Sequence, residues 1–228
     1  MEIWNKALSI AGWAIPLVLA IVLHEIAHGW MALRCGDTTA RDMKRLSLNP
    51  LRHVDRIGTV LFPLVLILTH APFVFGWAKP VPVNFARLRH PKRDMVWVAL
   101  AGPAMNLLQV LCVFAIFSFS ENVLHTEISP DIQRFLLKII VLNLSVMVFN
   151  LIPVLPMDGG RIVTGVLPLP WAIRFSRTER YGFAVIAFLL ILLPVLGDYI
   201  GRDFDFISGF LAFSVQKLIV FFAGLFGL

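Results

Sequence analysis

Two histidines and a glutamate stand close together in the run HEIAH, residues 24–28. Residues four apart share one face of a helix, so His24 and His28 can offer two imidazole nitrogens to one metal ion. Glu25 lies beside the first histidine and can reach a water molecule at that ion without being a ligand itself. This spacing predicts a zinc site, with one ion per chain and Glu25 as the general base of a hydrolytic reaction.

The position of HEIAH in the chain strengthens this interpretation. The motif lies inside the apolar run IPLVLAIVLHEIAHGWMAL, residues 15–33. A charged side chain at mid-depth of a bilayer costs about 2.5 kcal/mol or more. Three ionisable groups in such a run therefore indicate a functional site, whereas the same pentapeptide on a soluble helix is often only a solvated face.

A catalytic zinc needs a third protein ligand and an open position, and the candidate for this ligand is Asp158. The residue lies in NLIPVLPMDGG, residues 150–160, just after an apolar stretch. Pro153 and Pro156 stop the helix, and the two glycines that follow Asp158 let the backbone turn closely. Taken alone, Asp158 would be interpreted as a helix-terminal residue in a polar loop, so its role depends on the topology of the chain.

The composition of the chain places these residues in a membrane. Hydrophobic residues make up 58% of the 228 residues, charged residues make up only 15%, and the mean hydropathy is +0.82. Such a chain cannot bury its apolar surface in one water-soluble core. We expect one all-α polytopic membrane domain over 1–228, with a catalytic core at 7–160 and C-terminal helices at 181–228. The apolar runs are 7–33, 58–77, 95–119, 135–155, 181–197 and 206–228.

The charges between these runs predict the topology. Basic residues cluster in the loops 34–56, 79–93 and 161–180, whereas the other loops are acidic or mixed. By the positive-inside rule the three basic loops face the cytoplasm. The net charge of +6 thus reflects orientation and not nucleic-acid binding. We expect an integral multi-pass protein of a prokaryotic cell membrane, with HEIAH and Asp158 both toward the cytoplasmic side.

The run 58–77 is flanked by two basic loops, so it should enter and leave the membrane on the same side. Pro63 and Pro72 suit such a broken or re-entrant segment. We therefore expect five transmembrane helices plus one re-entrant segment. The alternative is six ordinary spans, which would place Asp158 on the side opposite to HEIAH. The next segment, KPVPVNFARLRHP at 79–91, is expected to form either a short β-strand near the site, open to an extended substrate, or a plain loop.

Two asparagines in apolar runs complete the set of candidate site residues. Asn150 could donate a hydrogen bond to the oxyanion that develops during amide hydrolysis, and Asn106 is a weaker candidate for the same role. Both asparagines are also compatible with a simple hydrogen bond to a neighbouring helix. Gly102 and Ala104 are interpreted as residues that only permit close packing.

Three motifs resemble those of the site-2 protease family, the zinc metalloproteases that cut inside membranes. They are HEIAHGW, ALAGPAMN at 99–106 and NLIPVLPMDGG, in the order that the family has them. The resemblance implies that His24, His28 and Asp158 bind zinc. It also implies that Glu25 is the base and that Asn150 has a polar role near the site. The implied reaction is hydrolysis of peptide bonds in or near transmembrane helices, as in regulated intramembrane proteolysis.

The chain is identified as a compact member of this family, because neither a PDZ domain nor a nucleotide-sensing module fits in its short loops. The expected partners are transmembrane protein substrates and membrane lipid, without nucleic acid, and the oligomeric state is left open. Two other functions remain open at this point. A metal-ion transporter would need further intramembrane ligands along a path, and a non-catalytic membrane protein would be expected to lack part of the site.

Overall fold

The computed structural model describes residues 2–61, 64–65, 68, 76–201 and 204–228, with side chains described from residue 12 onward apart from 60 and 198. Within these ranges the chain is helical and forms no strand, which confirms the expected all-α class. The α-helices with described bounds, in chain order, are α1 (Glu2–Arg34), α2 (Thr39–Asp42), α3 (Pro91–Asn122), α4 (Pro130–Asn150), α5 (Asp158–Val166), α6 (Leu169–Ser176), α7 (Glu179–Ala187), α8 (Leu193–Ile200) and α9 (Phe206–Leu225). Short 3₁₀ or π-helical segments occur at Pro50–His53, Arg56–Leu61, Phe85–Arg87 and Phe188–Leu192.

Five helices in the described ranges are long and apolar enough to cross a membrane. They span Gly12–Arg34, Pro91–Asn122, Pro130–Asn150, Glu179–Gly197 and Phe206–Leu225. Each of them overlaps one of the apolar runs seen in the sequence, which confirms a polytopic integral membrane protein. The fourth span joins α7, the π-helical segment and the start of α8 into one continuous helix.

The apolar run 58–77 falls largely outside the described residues, but its two ends are described and they meet. The Trp77 amide donates to the Gly58 carbonyl at 3.1 Å, and the Thr59 hydroxyl donates to the Trp77 carbonyl at 2.8 Å. A single crossing of the bilayer would separate the two ends by about 30 Å. Adjacent ends are therefore the arrangement that a re-entrant segment requires, while the path of its interior remains a prediction.

The segment after this run does not form the expected short strand in its described residues. Residues 76–84 form no regular secondary structure, and a 3₁₀ turn follows at Phe85–Arg87. Pro80 and Pro82 remove alternate N–H donors, which a strand would need for pairing. The amide between them, at Val81, is already used by the carboxylate of Glu25 at 2.7 Å. The plain-loop alternative therefore describes this segment better.

The helices that carry the three sequence motifs pack side by side. Helix α3 contacts both α1 and α4, and the short helix α5 packs along α3. Apolar side chains of α3, α4 and α9 form the largest buried cluster: Val110, Val113, Phe114, Ile140, Leu144, Met147, Val215 and Phe222. This packing brings HEIAH on α1, ALAGPAMN on α3 and the first residue of α5 to one place.

Candidate metal centre

The two histidines of HEIAH face each other, as the four-residue spacing predicts. Both side chains are almost fully buried, with residue exposures of 4% for His24 and 9% for His28. Their Nε2 atoms lie 3.0 Å apart, and the two rings meet nearly at a right angle. The helix thus presents two ligand-type nitrogens to one point.

Asp158 supplies a third ligand-type atom at this point. Its Oδ2 atom lies 3.2 Å from Nε2 of His24 and 3.3 Å from Nε2 of His28. Burial raises the pKa of Asp158, but the two histidines outweigh this effect and lower the pKa to about 2, so the carboxyl group is ionised. The residue opens α5, and a Cβ on the following Gly159 would run into the backbone carbonyl of Leu151. The glycine thereby allows the close turn that aims the carboxylate.

The three atoms have the spacing of a zinc coordination shell. Tetrahedral zinc binds nitrogen and oxygen at about 2.0–2.1 Å, which places neighbouring ligand atoms about 3.3 Å apart. The observed distances of 3.0, 3.2 and 3.3 Å are close to this value. Oδ2 of Asp158 is moreover buried and receives no hydrogen bond from any described residue.

The outer nitrogens of both rings are held by hydrogen-bond acceptors. Nδ1 of His28 donates to the Val98 carbonyl, and Nδ1 of His24 donates to Oδ1 of Asn106, each at 2.6 Å. A proton on Nδ1 leaves Nε2 with a free lone pair in the neutral ring. With both rings neutral in this tautomer, three electron-rich atoms converge, and a cation at their centre would offset their mutual repulsion. The residues present thus fit a zinc ion.

Gly102 provides the space in which the histidine nitrogens lie. A Cβ built on this residue would be 2.6 Å from Nε2 of His24 and still closer to Nε2 of His28. The interpretation of Gly102 as a packing residue only was therefore incomplete. The spacing offered a signal, because Gly102 and Asn106 are four residues apart and share one face of α3.

Glu25 lines the same cavity as the three ligand-type residues. Its Oε2 accepts the hydrogen bond from the Val81 amide, which fixes the carboxylate relative to the segment 76–84. The cavity has a volume of about 870 Å³ and contacts His24, His28, Glu25 and Asp158 together with apolar side chains of α1, α4 and α7. Asn150 lines the same cavity, and one of its amide hydrogens goes to the Val146 carbonyl at 2.9 Å.

Asn106 lies elsewhere than Asn150. It is fully buried behind His24 and does not line the cavity, so its contacts are to the imidazole and to other helices. Its position indicates a role in orienting His24. The expectation of an oxyanion contact therefore depends on Asn150.

Two polar residues that sequence reasoning missed hold the segment beside Glu25. A guanidinium nitrogen of Arg45, a residue that is 9% exposed, donates to the carbonyls of Lys79 and Pro80 at 2.9 and 3.3 Å. Asp37 is fully buried and accepts from the Asn84 amide at 2.7 Å. Burial raises the pKa of Asp37, but hydrogen bonds from Thr39 and Asn84 outweigh it and lower the pKa overall. No short-range pattern reveals these pairs, since the partners are 34 to 47 residues apart.

Comparison with known proteins gives the family. Residues 125–193, which include Asn150 and Asp158, match the model of Peptidase family M50. A Bacillus subtilis protein named "Putative zinc metalloprotease YwhC" is 35% identical over 83% of this chain and 86% of its own length. "Putative zinc metalloprotease Rip2" of Mycolicibacterium smegmatis is 25% identical over 96% of this chain and 82% of its own length. No solved structure matches the chain at a significant level. The chain therefore belongs to peptidase family M50, the site-2 proteases, and is an intramembrane zinc metalloprotease.

Proposed function

We propose that His24, His28 and Asp158 are the zinc ligands of this metalloprotease. The observation that carries the proposal is the convergence of their three ligand-type atoms at 3.0–3.3 Å, with both outer histidine nitrogens anchored. When bound, zinc supplies Lewis-acid polarisation and lowers the pKa of a water molecule toward about 7.

Glu25 is the general base in this proposal. One oxygen of its carboxylate accepts from the Val81 amide, which fixes the group at the cavity that the proposed ligands also line. Glu25 takes a proton from the attacking water and passes it to the amine nitrogen that leaves when the peptide bond breaks. Asn150 has a second amide hydrogen, which is available for the oxyanion of the scissile carbonyl.

The substrate is a transmembrane segment of another protein. A helix in the bilayer shields its amides by internal hydrogen bonds, so the substrate must unwind locally before its peptide bond can reach the site. The apolar lining of the cavity suits the side chains of such a segment. Residues 76–84 offer a neighbouring backbone along which an unwound substrate can lie, since several of them line the cavity. The process that we propose for the enzyme is regulated intramembrane proteolysis.

The site faces the cytoplasm of a prokaryotic cell in this proposal, within a single domain over 1–228. The positive charge of the loops that hold Arg45 and Lys79 supports this orientation. Single cysteines at Arg87 or Lys92 test it, and an impermeant reagent added to intact cells should leave both unlabelled. Labelling at either position would overturn the topology, including the re-entrant path of 58–77.

Replacing Glu25 with Gln tests the catalytic assignment. The variant should bind one zinc ion per chain, because the three ligands are unchanged, but cleavage of a transmembrane substrate should fall by about 100-fold or more. Glu121→Gln, at the exposed far end of α3, is the matched control and should cleave normally. A fully active Glu25→Gln protein would contradict the mechanism.

A further inference from the structure

We propose that Asn143 is a positioning residue for His24 and acts through the side chain of Asn106. Asn143 lies on α4, and its side chain is as fully buried as that of Asn106, each with 0% exposure. Nδ2 of Asn106 donates to Oδ1 of Asn143 at 2.8 Å, and Oδ1 of Asn106 accepts from His24 at 2.6 Å. A line of hydrogen bonds therefore runs from α4 through α3 to α1.

The direction of every bond in this line follows from its starting point. The amide nitrogen of Asn143 donates to the Ile139 carbonyl at 2.9 Å, and a carbonyl can only accept. Oδ1 of Asn143 must then face Asn106, which turns the Asn106 nitrogen toward α4 and the Asn106 oxygen toward His24. The Ala20 carbonyl, at 3.2 Å from the same nitrogen, favours the same orientation through a longer bond.

This direction determines which nitrogen of His24 carries the proton. An amide oxygen at Nδ1 requires a proton on Nδ1. The neutral ring then has its lone pair on Nε2, as a zinc ligand requires. A reversed Asn106 amide would present hydrogens to Nδ1 and favour a proton on Nε2, the nitrogen that faces Asp158. The inference rests on the proposed role of His24 as a zinc ligand, and it adds the residue that selects the tautomer of His24.

This role is tested by the zinc affinity of the full chain. The protein is purified in detergent micelles, and its affinity is measured by competition with a chromophoric chelator. Asn143→Leu should weaken zinc binding by about tenfold, the lower end of the range for outer-shell partners, because the Ala20 carbonyl remains in place. Asn106→Leu should weaken it further, and the double variant should match Asn106→Leu alone. Gln109→Leu is the matched control, since the Gln109 amide donates to the Met105 carbonyl of its own helix and to no other described residue. The zinc affinity of this variant should stay within about twofold of wild type. Full additivity in the double variant, or an unchanged Asn143→Leu affinity, would overturn the proposal.

Asn143→Asp separates positioning from packing. In either protonation state the aspartate presents an acceptor oxygen to Asn106, so zinc affinity should stay close to that of wild type. A carboxyl group in an apolar bundle is less favourable for stability than leucine, so the thermal stability of the two variants should rank in the opposite order. Identical ranking of zinc affinity and stability would show a packing role only.

Two further measurements separate this inference from the proposed function. In the metal-free protein, ¹⁵N NMR of the histidine rings should show His24 with its proton on Nδ1, and Asn143→Leu should increase the Nε2–H form. His24→Ala should abolish zinc binding. Zinc binding that survives in His24→Ala would refute the ligand set. If His24→Ala loses zinc and Asn143→Leu binds zinc as tightly as wild type, only the role of Asn143 is refuted.

Discussion

Gly102→Ala is the smallest change that should empty the metal centre. The new Cβ would lie 2.6 Å from Nε2 of His24, whereas nonbonded heavy atoms prefer about 3.5 Å or more. The atoms must therefore separate by about 0.9 Å, either by moving α3 away from α1 or by rotating the imidazoles. Rotation would break the two 2.6 Å hydrogen bonds that hold Nδ1 of His24 and His28.

The size of the effect follows from this displacement. A misplacement of about 1 Å at a reacting centre can cost roughly 100-fold in rate, and both ligand nitrogens are affected together. Zinc affinity and substrate cleavage should each fall by about 100-fold or more. The stability of α3 itself should not decrease, because alanine is more favourable than glycine in a helix by about 0.5–1 kcal/mol.

Gly209→Ala is the matched control for this prediction. Gly209 lies on α9, and a Cβ built there meets no described atom within 4 Å. Both variants should elute as folded protein with similar thermal stability, so that a difference in chelator competition and in cleavage of a model transmembrane substrate reports on the site. Wild-type zinc affinity and activity in Gly102→Ala would refute the proposed position of the metal.

Two other substitutions test the third proposed ligand and the segment beside the site. Asp158→Asn removes the charged ligand oxygen and should weaken zinc binding by more than the 10–100-fold that outer-shell changes cost; chelator competition against Asp131→Asn, an exposed control, measures this. Asp37→Asn should loosen residues 76–84 and raise their cleavage rate in limited proteolysis by about tenfold, because a buried carboxylate acceptor is lost. Since the pKa of Asp37 is lowered in the fold, its stabilising effect should be complete above about pH 4 and lost as pH falls through the lower folded value. Proteolysis that is unchanged in Asp37→Asn and independent of acid pH would contradict this account.

Much of the fold follows from apolar runs and loop charge. Five spans and the meeting ends of 58–77 agree with what these patterns predict. The conformation of the segment 79–91 was harder to predict, because it depends on a hydrogen bond to a side chain of α1. The amide of Val81 goes to Glu25 and not to a neighbouring strand. Such a bond joins residues 56 positions apart, and no local propensity encodes it.

The ligand-type atoms were predictable, and most of their supports were not. Helical spacing brings His24 and His28 together, and topology brings Asp158 to the same side. The role of Asn143 could not be predicted from its neighbours in the sequence, because it depends on a hydrogen bond from Asn106, 37 residues away. Family membership, in turn, decides against the metal transporter and the non-catalytic protein, which composition and spacing had left open.

The hydrogen bonds that hold Nδ1 of His24 and of His28 differ in how mutation can affect them. His28 is held by the main-chain carbonyl of Val98, which every residue type at that position retains. His24 is held by the side chain of Asn106, which a single codon change can remove. In a saturation screen for loss of proteolysis, position 106 should therefore reject nearly all replacements, whereas position 98 should accept apolar residues of similar size. The contact that holds His28 is therefore insensitive to the side chain at position 98, whereas the contact that holds His24 depends on the side chain at position 106.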